Sequence, residues 1–574
     1  MKLIGSSGWH RPIVMGTSTM VSSGHHLASL AGIDILKKGG NAIDAGVAMG
    51  LCINVVQPVF TNFGGVAPIM IYSAVEDKVF NISGLGTWPK GASIEAIKER
   101  GGELTQDQFT SSVVPSAPDA WITALDICGT MPFSEVAESA IKLAENGFPA
   151  HPFFINNLIN WKEMLQKYEY TKGVFYPSGK IPRIGDIIIQ RDLARTLKRL
   201  IDVEKMNSHL GRHEALMAAR DEFYMGNIAK ELIGYLQEKG GFMTLNDMAE
   251  FHVGLEEPVK TTYRDIEVYC CGPWCQGPVN AMALNILEGY DLASLEHNSA
   301  EYLHIMISAL DLAFADRDKH IGDPRFVDVP MKELASMRYA EARRDLIDLD
   351  SAWGKMPPPG DPRNFKAVYS NWKEPRPGAS VSDPDTSYGC VVDNEGNAFS
   401  ATPSDGGRLV PGLGIIISPR GSQSWLDPNH ASSVVPGKRP RLTPNPALAF
   451  KNGEVFMAYG TPGNDSQPQT MVQVLVNIVD FNMNVQQAIE APRFRSANFP
   501  TSSWPHEYLP GRVNIEARVP QNAIKKLKDM GHDVNVFPNY TFECGGISVV
   551  LVDRERGLLM GGADLRRENY AIGY

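Results

Sequence analysis

Thr386-Ser387-Tyr388-Gly389-Cys390-Val391-Val392-Asp393-Asn394-Glu395-Gly396-Asn397-Ala398-Phe399-Ser400-Ala401-Thr402 is the stretch that decides how this chain folds. It follows a segment, 355–385, that holds Pro357-Pro358-Pro359, Asp361-Pro362, Pro375, Pro377 and Asp383-Pro384 without apolar period, which reads as an exposed loop or linker. Ser387 to Asp393 then reads as a strand, 393–397 as a turn and Ala398 to Thr402 as the returning strand, so the stretch forms a hairpin. A plain hairpin is one reading. Another is open because a threonine begins a buried strand directly after an exposed loop. A cut before Thr386 gives that residue a free α-amine, which can act as general base for its own Oγ without a His or Asp partner.

Upstream, 24–57 reads as two helices broken at Gly39-Gly40-Asn41, with Ser22 and Ser23 offering caps. The second is rich in small residues (Ala42, Ala45, Gly46, Ala48, Gly50), which suits tight packing against a neighbour. Ala67 to Tyr72 and Val79 to Ile82 read as paired strands. The middle, 115–350, is mostly helical by period, with Thr262 to Cys270 alternating like one strand. Beyond the Pro-rich loop the chain is strand-rich, with further strands expected at Gly414 to Ile417, Ala447 to Phe450, Val455 to Tyr459 and Ile547 to Val552. One long helix, about Pro468 to Asn482, interrupts them. No internal repeat is visible.

The 574 residues are 43 % hydrophobic and 21 % charged, which excludes disordered and fibrous classes. A net charge of −11 without a long basic run argues against nucleic-acid or anionic-membrane partners. No window approaches the ~18 apolar residues of a spanning helix; Gly46 to Val56 is interrupted by Asn54 and followed by Pro58. The expected location is the cytoplasm. Seven cysteines, an odd and sparse set, are unlike a disulfide scaffold.

Several separated motifs, in order, resemble the γ-glutamyltransferase (γ-glutamyltranspeptidase) family almost end to end. They are Gly39-Gly40-Asn41-Ala42-Ile43-Asp44-Ala45, Asn62-Phe63-Gly64-Gly65, Gly322-Asp323-Pro324, Val327-Asp328-Val329-Pro330, Pro436-Gly437-Lys438-Arg439-Pro440, Gly460-Thr461-Pro462-Gly463, Ala491-Pro492-Arg493-Phe494 and Ala571-Ile572-Gly573-Tyr574. The resemblance implies an α+β fold, the αββα sandwich of the N-terminal-nucleophile hydrolases, made as one precursor. Cleavage between Asp385 and Thr386 is implied, giving a large subunit 1–385 and a small subunit 386–574 that together form one αββα unit. Thr386 matches the nucleophile. Ser404 stands where the family has a second threonine that hydrogen-bonds it, and Gly463 and Asn464 stand where paired backbone N–H groups form the oxyanion hole. The helix starting near Ser466 would add its positive end. No metal or other cofactor is implied. The expected partners are a small amide substrate, a water or amine acceptor and the two subunits of one precursor, in a dimer of heterodimers if further assembled.

Substrate recognition departs from the family. Leu85 stands where an arginine grips the α-carboxylate of a γ-glutamyl group, and Ser418-Pro419-Arg420-Gly421-Ser422-Gln423 has no acid for the α-amino group. An expected asparagine is Gly406, and a Ser-Ser pair is Leu442-Thr443. Arg420, Gln423, Thr443 and Leu85 are therefore the candidate substrate-contact positions. Losing a buried charge partner costs several kcal/mol of recognition, so an ordinary γ-glutamyl donor is not expected. The resemblance extends to branches that are acylases for cephalosporin side chains and an amidase for oxamate. Arg408, Arg420 or Arg441 could read a carboxylate lacking a neighbouring ammonium, or be surface or subunit contacts. If Arg420 does so, its removal weakens donor binding and spares self-cleavage. The alternatives are a true γ-glutamyltransferase with an altered clamp and a catalytically silent binding protein.

Cys270-Cys271-Gly272-Pro273-Trp274-Cys275 is not a C-x-x-C motif and has no nearby Zn ligands, so buried thiols are expected. Cys390 reads as core. His25-His26 read as a helix-face or cap contact, with a metal role as the alternative.

Overall fold

The structure is a computed structural model that describes residues 10–370, 372–376 and 386–574. Asp385, the residue expected to precede the cut, lies outside the described residues.

Two seven-stranded antiparallel sheets stack face to face between helices. One runs Val14–Gly16, Leu558–Ala563, Ser548–Asp553, Glu454–Gly460, Ala447–Lys451, Ile266–Cys270, Val259–Tyr263. The other runs Tyr570–Gly573, Met20–Ser23, Gly389–Val392, Ala398–Ala401, Ile69–Ser73, Lys78–Ile82, Leu255–Glu256. The strand Gly389–Val392 shows why the layers form. Successive side chains point to opposite faces. Cys390 and Val392 join Leu448, Ala458 and Val550 of the facing sheet, whereas Val391 joins Ile43 and Val47 of the helical layer. Both faces are buried, so the strand reads as a continuous apolar run. On the far side, Gly277–Leu287, Ala300–His320 and Ser466–Val479 cover the other sheet through Val279, Leu310 and Leu475. This is the αββα sandwich. Each sheet takes strands from both sides of the 385/386 junction, so that junction divides one core.

The helix Ala42–Val56 is buried on every side. A Cβ at Gly46 would stand 2.2 Å from the Phe399 ring and one at Gly50 2.4 Å from Trp121, so its small residues allow contact with the sheet and the next helix. Among the described residues, no helix is long and apolar enough to cross a membrane.

Some boundaries differ from expectation. Thr262 to Cys270 is not one strand: Arg264, at φ 56°, turns the chain between Val259–Tyr263 and Ile266–Cys270. Gly414 to Ile417 forms no ladder; the Ile416 N–H donates to Asn62 Oδ1 (3.0 Å) and the Val410 N–H to the Ile415 carbonyl (2.7 Å). Ser22 and Ser23 end a strand, and the cap of the helix His26–Lys37 is His25, whose Nδ1 accepts from the Leu27 N–H.

Candidate active site

Thr386 lies at the mouth of the hairpin, just ahead of the strand Gly389–Val392. Its backbone bridges Ser404, and the Ser387 N–H donates to the Pro403 carbonyl (3.0 Å). The Thr386 and Ser404 hydroxyl oxygens are 2.9 Å apart, and both residues are buried. The Arg420 guanidinium donates to Ser404 Oγ. Arginine only donates, so Ser404 Oγ accepts from Arg420 and keeps its own proton to donate, with Thr386 Oγ within hydrogen-bond reach. The chain Arg420 to Ser404 to Thr386 thus favours negative charge developing on Thr386 Oγ.

Arg420 is fixed from three sides. Its Nε pairs with Asp405 Oδ1 and its Nη1 donates to Thr443 Oγ1 at 3.3 Å. Asp405 also accepts from Ser418 Oγ at 2.5 Å. At φ 82° it occupies the left-handed region that aspartate tolerates better than most residues, which turns its carboxylate back under Ser404. Gln423 Nε2 donates to Thr443 Oγ1 (2.9 Å), and Gln423 Oε1 accepts from the Thr443 N–H (3.2 Å). Arg420, Gln423 and Thr443, three of the candidate substrate-contact positions, therefore meet near the hydroxyl pair. A substrate carboxylate at Arg420 would compete with a carboxylate already in place, because its charge faces Asp405. Sequence reasoning missed Asp405, although it directly follows Ser404.

Gly463 (φ 120°) and Asn464 (φ 48°) form the turn into the helix Ser466–Val479. A trans peptide places N–H opposite C=O. The Pro462 carbonyl accepts from Thr461 Oγ1 at 2.8 Å and the Gly463 carbonyl from the Ser466 N–H at 2.8 Å. The Gly463 and Asn464 N–H groups point away from those partners, at the N-terminal end of a helix, where the helix dipole favours negative charge.

Gly463 and Asn464 line a pocket of about 210 Å³ whose walls include Phe60, Trp161, Ser503, Trp504, Glu507 and Arg567. Gln423 Nε2 reaches Ser503 Oγ at 3.4 Å and Arg567 Nη1 donates to the Thr386 carbonyl at 3.3 Å, so the pocket adjoins the hydroxyl pair. Arg567 was missed because only the end of its segment, Ala571 to Tyr574, drew attention.

Other candidates lie elsewhere. Leu85 is fully buried between the sheets with Met70 and Trp274 and does not line this pocket. Its neutral side chain suits that core. Arg408 donates to the Gln106 and Gln108 carbonyls and covers the Phe109 ring. Arg441 donates to the Arg317 carbonyl at 2.9 Å. Both are structural. Cys270, Cys271, Cys275 and Cys390 are free and buried, and burial pushes Cys270 and Cys390 up to about 12, so they stay protonated.

His25, His151 and Glu568 bring ligand atoms within 4.8 Å of one another. The ring nitrogens are committed, however. His25 Nδ1 accepts from Leu27, which puts the proton of the neutral ring on Nε2, and His151 bridges the Val56 carbonyl (2.9 Å) and Glu568. A metal would have to displace these bonds.

The family model for gamma-glutamyltranspeptidase matches residues 28–574. The chain is 34 % identical to the glutathione hydrolase-like YwrD proenzyme of Bacillus subtilis over 98 % of its own length and 99 % of that protein. It is 28 % identical to the oxamate amidohydrolase proenzyme of Klebsiella pneumoniae, covering 98 % and 99 %. The crystal structure of cephalosporin acylase from Bacillus halodurans superposes with a TM-score of 0.86 at 28 % identity, covering 100 % of this chain and 99 % of that one. The chain is an enzyme of the gamma-glutamyltranspeptidase family.

Proposed function

We propose that the chain is a self-processing amidohydrolase or acyltransferase that forms an acyl ester on Thr386 with a small donor other than an ordinary γ-glutamyl group. The observation that carries this reading is the buried chain Arg420 to Ser404 to Thr386 beside the Gly463–Asn464 turn. In the precursor, Thr386 Oγ attacks the Asp385 carbonyl carbon and the peptide nitrogen leaves as the α-amine. Water hydrolyses the resulting ester, freeing the Asp385 carboxylate. In turnover the α-amine takes the Oγ proton as Oγ adds to the substrate carbonyl. The Gly463 and Asn464 N–H groups hold the oxyanion, the Thr386 α-ammonium gives its proton to the substrate nitrogen as the C–N bond breaks and the amine departs, and water or a second amine then takes the acyl group from Oγ.

The donor follows from the charges. Arg420 faces Asp405, and the cation that touches both pocket and nucleophile is Arg567. A donor with a carboxylate and no α-ammonium suits it. Glu507, which also lines the pocket, favours a second reading, because a cation and an anion in one pocket suit an amino-acid head group, as in a glutathione hydrolase. Specificity constants for oxamate, glutaryl amides, γ-glutamyl anilide and glutathione decide between them. We expect the first pair to exceed the second by at least about a hundredfold; the reverse order supports the second reading.

A further inference from the structure

Behind the Gly463–Asn464 turn sits a buried polar junction that the chemistry above does not use. Gln276, just before the helix Gly277–Leu287, is fully buried. Its Nε2 donates to the Thr443 carbonyl and to the Asn464 carbonyl, both at 2.9 Å. Its Oε1 accepts from Arg317 Nη1 at 3.1 Å. Arg317, also fully buried, pairs through the same Nη1 with Asp465 and donates from Nη2 to the Pro500 carbonyl at 2.8 Å. Asp465 in turn accepts from the Ser502 N–H (2.8 Å) and hydroxyl (2.6 Å).

We propose that Gln276 is a positioning residue of this site, tying the Asn464–Asp465 peptide, which directly follows the two oxyanion donors, to Thr443 and so holding the strained turn in register with Thr386 Oγ, with Arg317 fixing which way the Gln276 amide points. The inference rests on the reading of Gly463 and Asn464 as oxyanion donors. The physical reason is bond counting. One amide NH₂ has two protons, and each holds a carbonyl on a different side of the site. Arg317 can only donate, so Gln276 must present Oε1 to it and Nε2 to the two carbonyls. The amide cannot flip without facing N–H to N–H. The Gly463 carbonyl is tied to Ser466 and the Asn464 carbonyl to Gln276, so the peptides on both sides of Asn464, a residue at φ 48°, are held, and the turn that carries the two donors cannot relax. Gln276 and Arg317 precede residue 386 while Thr443, Asn464, Asp465 and Ser502 follow it, so the junction also spans the two products of the proposed cut.

The test uses the full chain carrying Gln276→Glu and Gln276→Met, with Thr386→Ala as the control. Gln276→Glu keeps the shape and the acceptor toward Arg317, but it turns a carboxylate oxygen toward the two carbonyls that Nε2 had held. Gln276→Met keeps the length and removes all three bonds. We expect kcat to fall about 30- to 100-fold in both with KM within about threefold, and self-cleavage to slow in parallel. Affinity for a boronate that mimics the tetrahedral oxyanion should fall by the same factor as kcat. A melting curve for each variant separates loss of fold from loss of alignment. Unchanged kcat and boronate affinity in folded Gln276→Glu, or a change confined to KM, overturns the inference. Activity in Thr386→Ala overturns instead the reading on which it rests.

Discussion

Replacing Arg420 by methionine separates the two roles this residue could have. Its side chain is 4 % exposed and that of its partner Asp405 2 %, so removing the cation strands a buried carboxylate. Breaking such a pair costs about 3–5 kcal/mol of stability. It also removes the donor that polarises Ser404 Oγ, which should cost no more than losing the Ser404 hydroxyl itself, about 10- to 100-fold in rate. Arg420→Met should therefore lose both stability and rate, for self-cleavage and amide turnover alike. Arg420→Met/Asp405→Asn should regain most of the stability, because no buried charge is left alone, and regain none of the rate. Melting curves of the four proteins in the cycle, with time courses of chain cleavage by intact mass, read both quantities. If Arg420→Met cleaves itself at the normal rate and only the KM for an anionic donor rises, Arg420 reads substrate and the relay through Ser404 is wrong.

Ser404→Ala should lower kcat about 10- to 100-fold, whereas Ser404→Thr, which keeps the hydroxyl, should stay within about threefold in steady-state assays. Arg567→Gln should raise KM for carboxylate-bearing donors more than for neutral amides, and equal effects on both would exclude it from recognition. Burial lowers His25 to about 2 and His506 and His532 to about 3, all below the unfolded value near 6.5. Each stays neutral in the fold while the unfolded chain takes up a proton. Stability present above pH 6.5 should therefore fall toward pH 3, by up to about 1.4 kcal/mol per pH unit per histidine, and thermal melts from pH 8 to 4 that show no acid-side loss refute this. EDTA should leave turnover unchanged, since nucleophile, base and oxyanion donors are protein groups; loss of activity reversed by Zn²⁺ would point to His25, His151 and Glu568.

The hairpin around Gly389–Val392 and the small-residue helix were legible because turn residues, apolar runs and residue size are local properties, whereas the layering of sheets and helices was reached only through the family resemblance. Thr386, Ser404, Gly463 and Asn464 were picked out as a set only through the family resemblance, and the 2.9 Å between the Thr386 and Ser404 hydroxyls is a contact their 18-residue separation does not announce. What the sequence hid were pairings between distant segments. Asp405 reaches Arg420 only because a left-handed turn folds it under Ser404. Arg567 reaches Thr386 across 181 positions. Leu85 looked like a recognition position because the family places an arginine there, but its burial between the sheets depends on partners no local pattern reveals. The strand expected at Gly414 to Ile417 failed for a similar reason, since the Asn62 side chain takes the N–H a ladder would use.

The central claim is that Thr386 becomes the N-terminal nucleophile, and intact-mass analysis of purified wild type and Thr386→Ala tests it most directly. The account requires wild type to separate into chains 1–385 and 386–574, the latter beginning at Thr386 and gaining an acyl mass when quenched during turnover, while Thr386→Ala remains whole and inactive. A wild-type chain that stays uncut and yet turns over its amide substrate would contradict it.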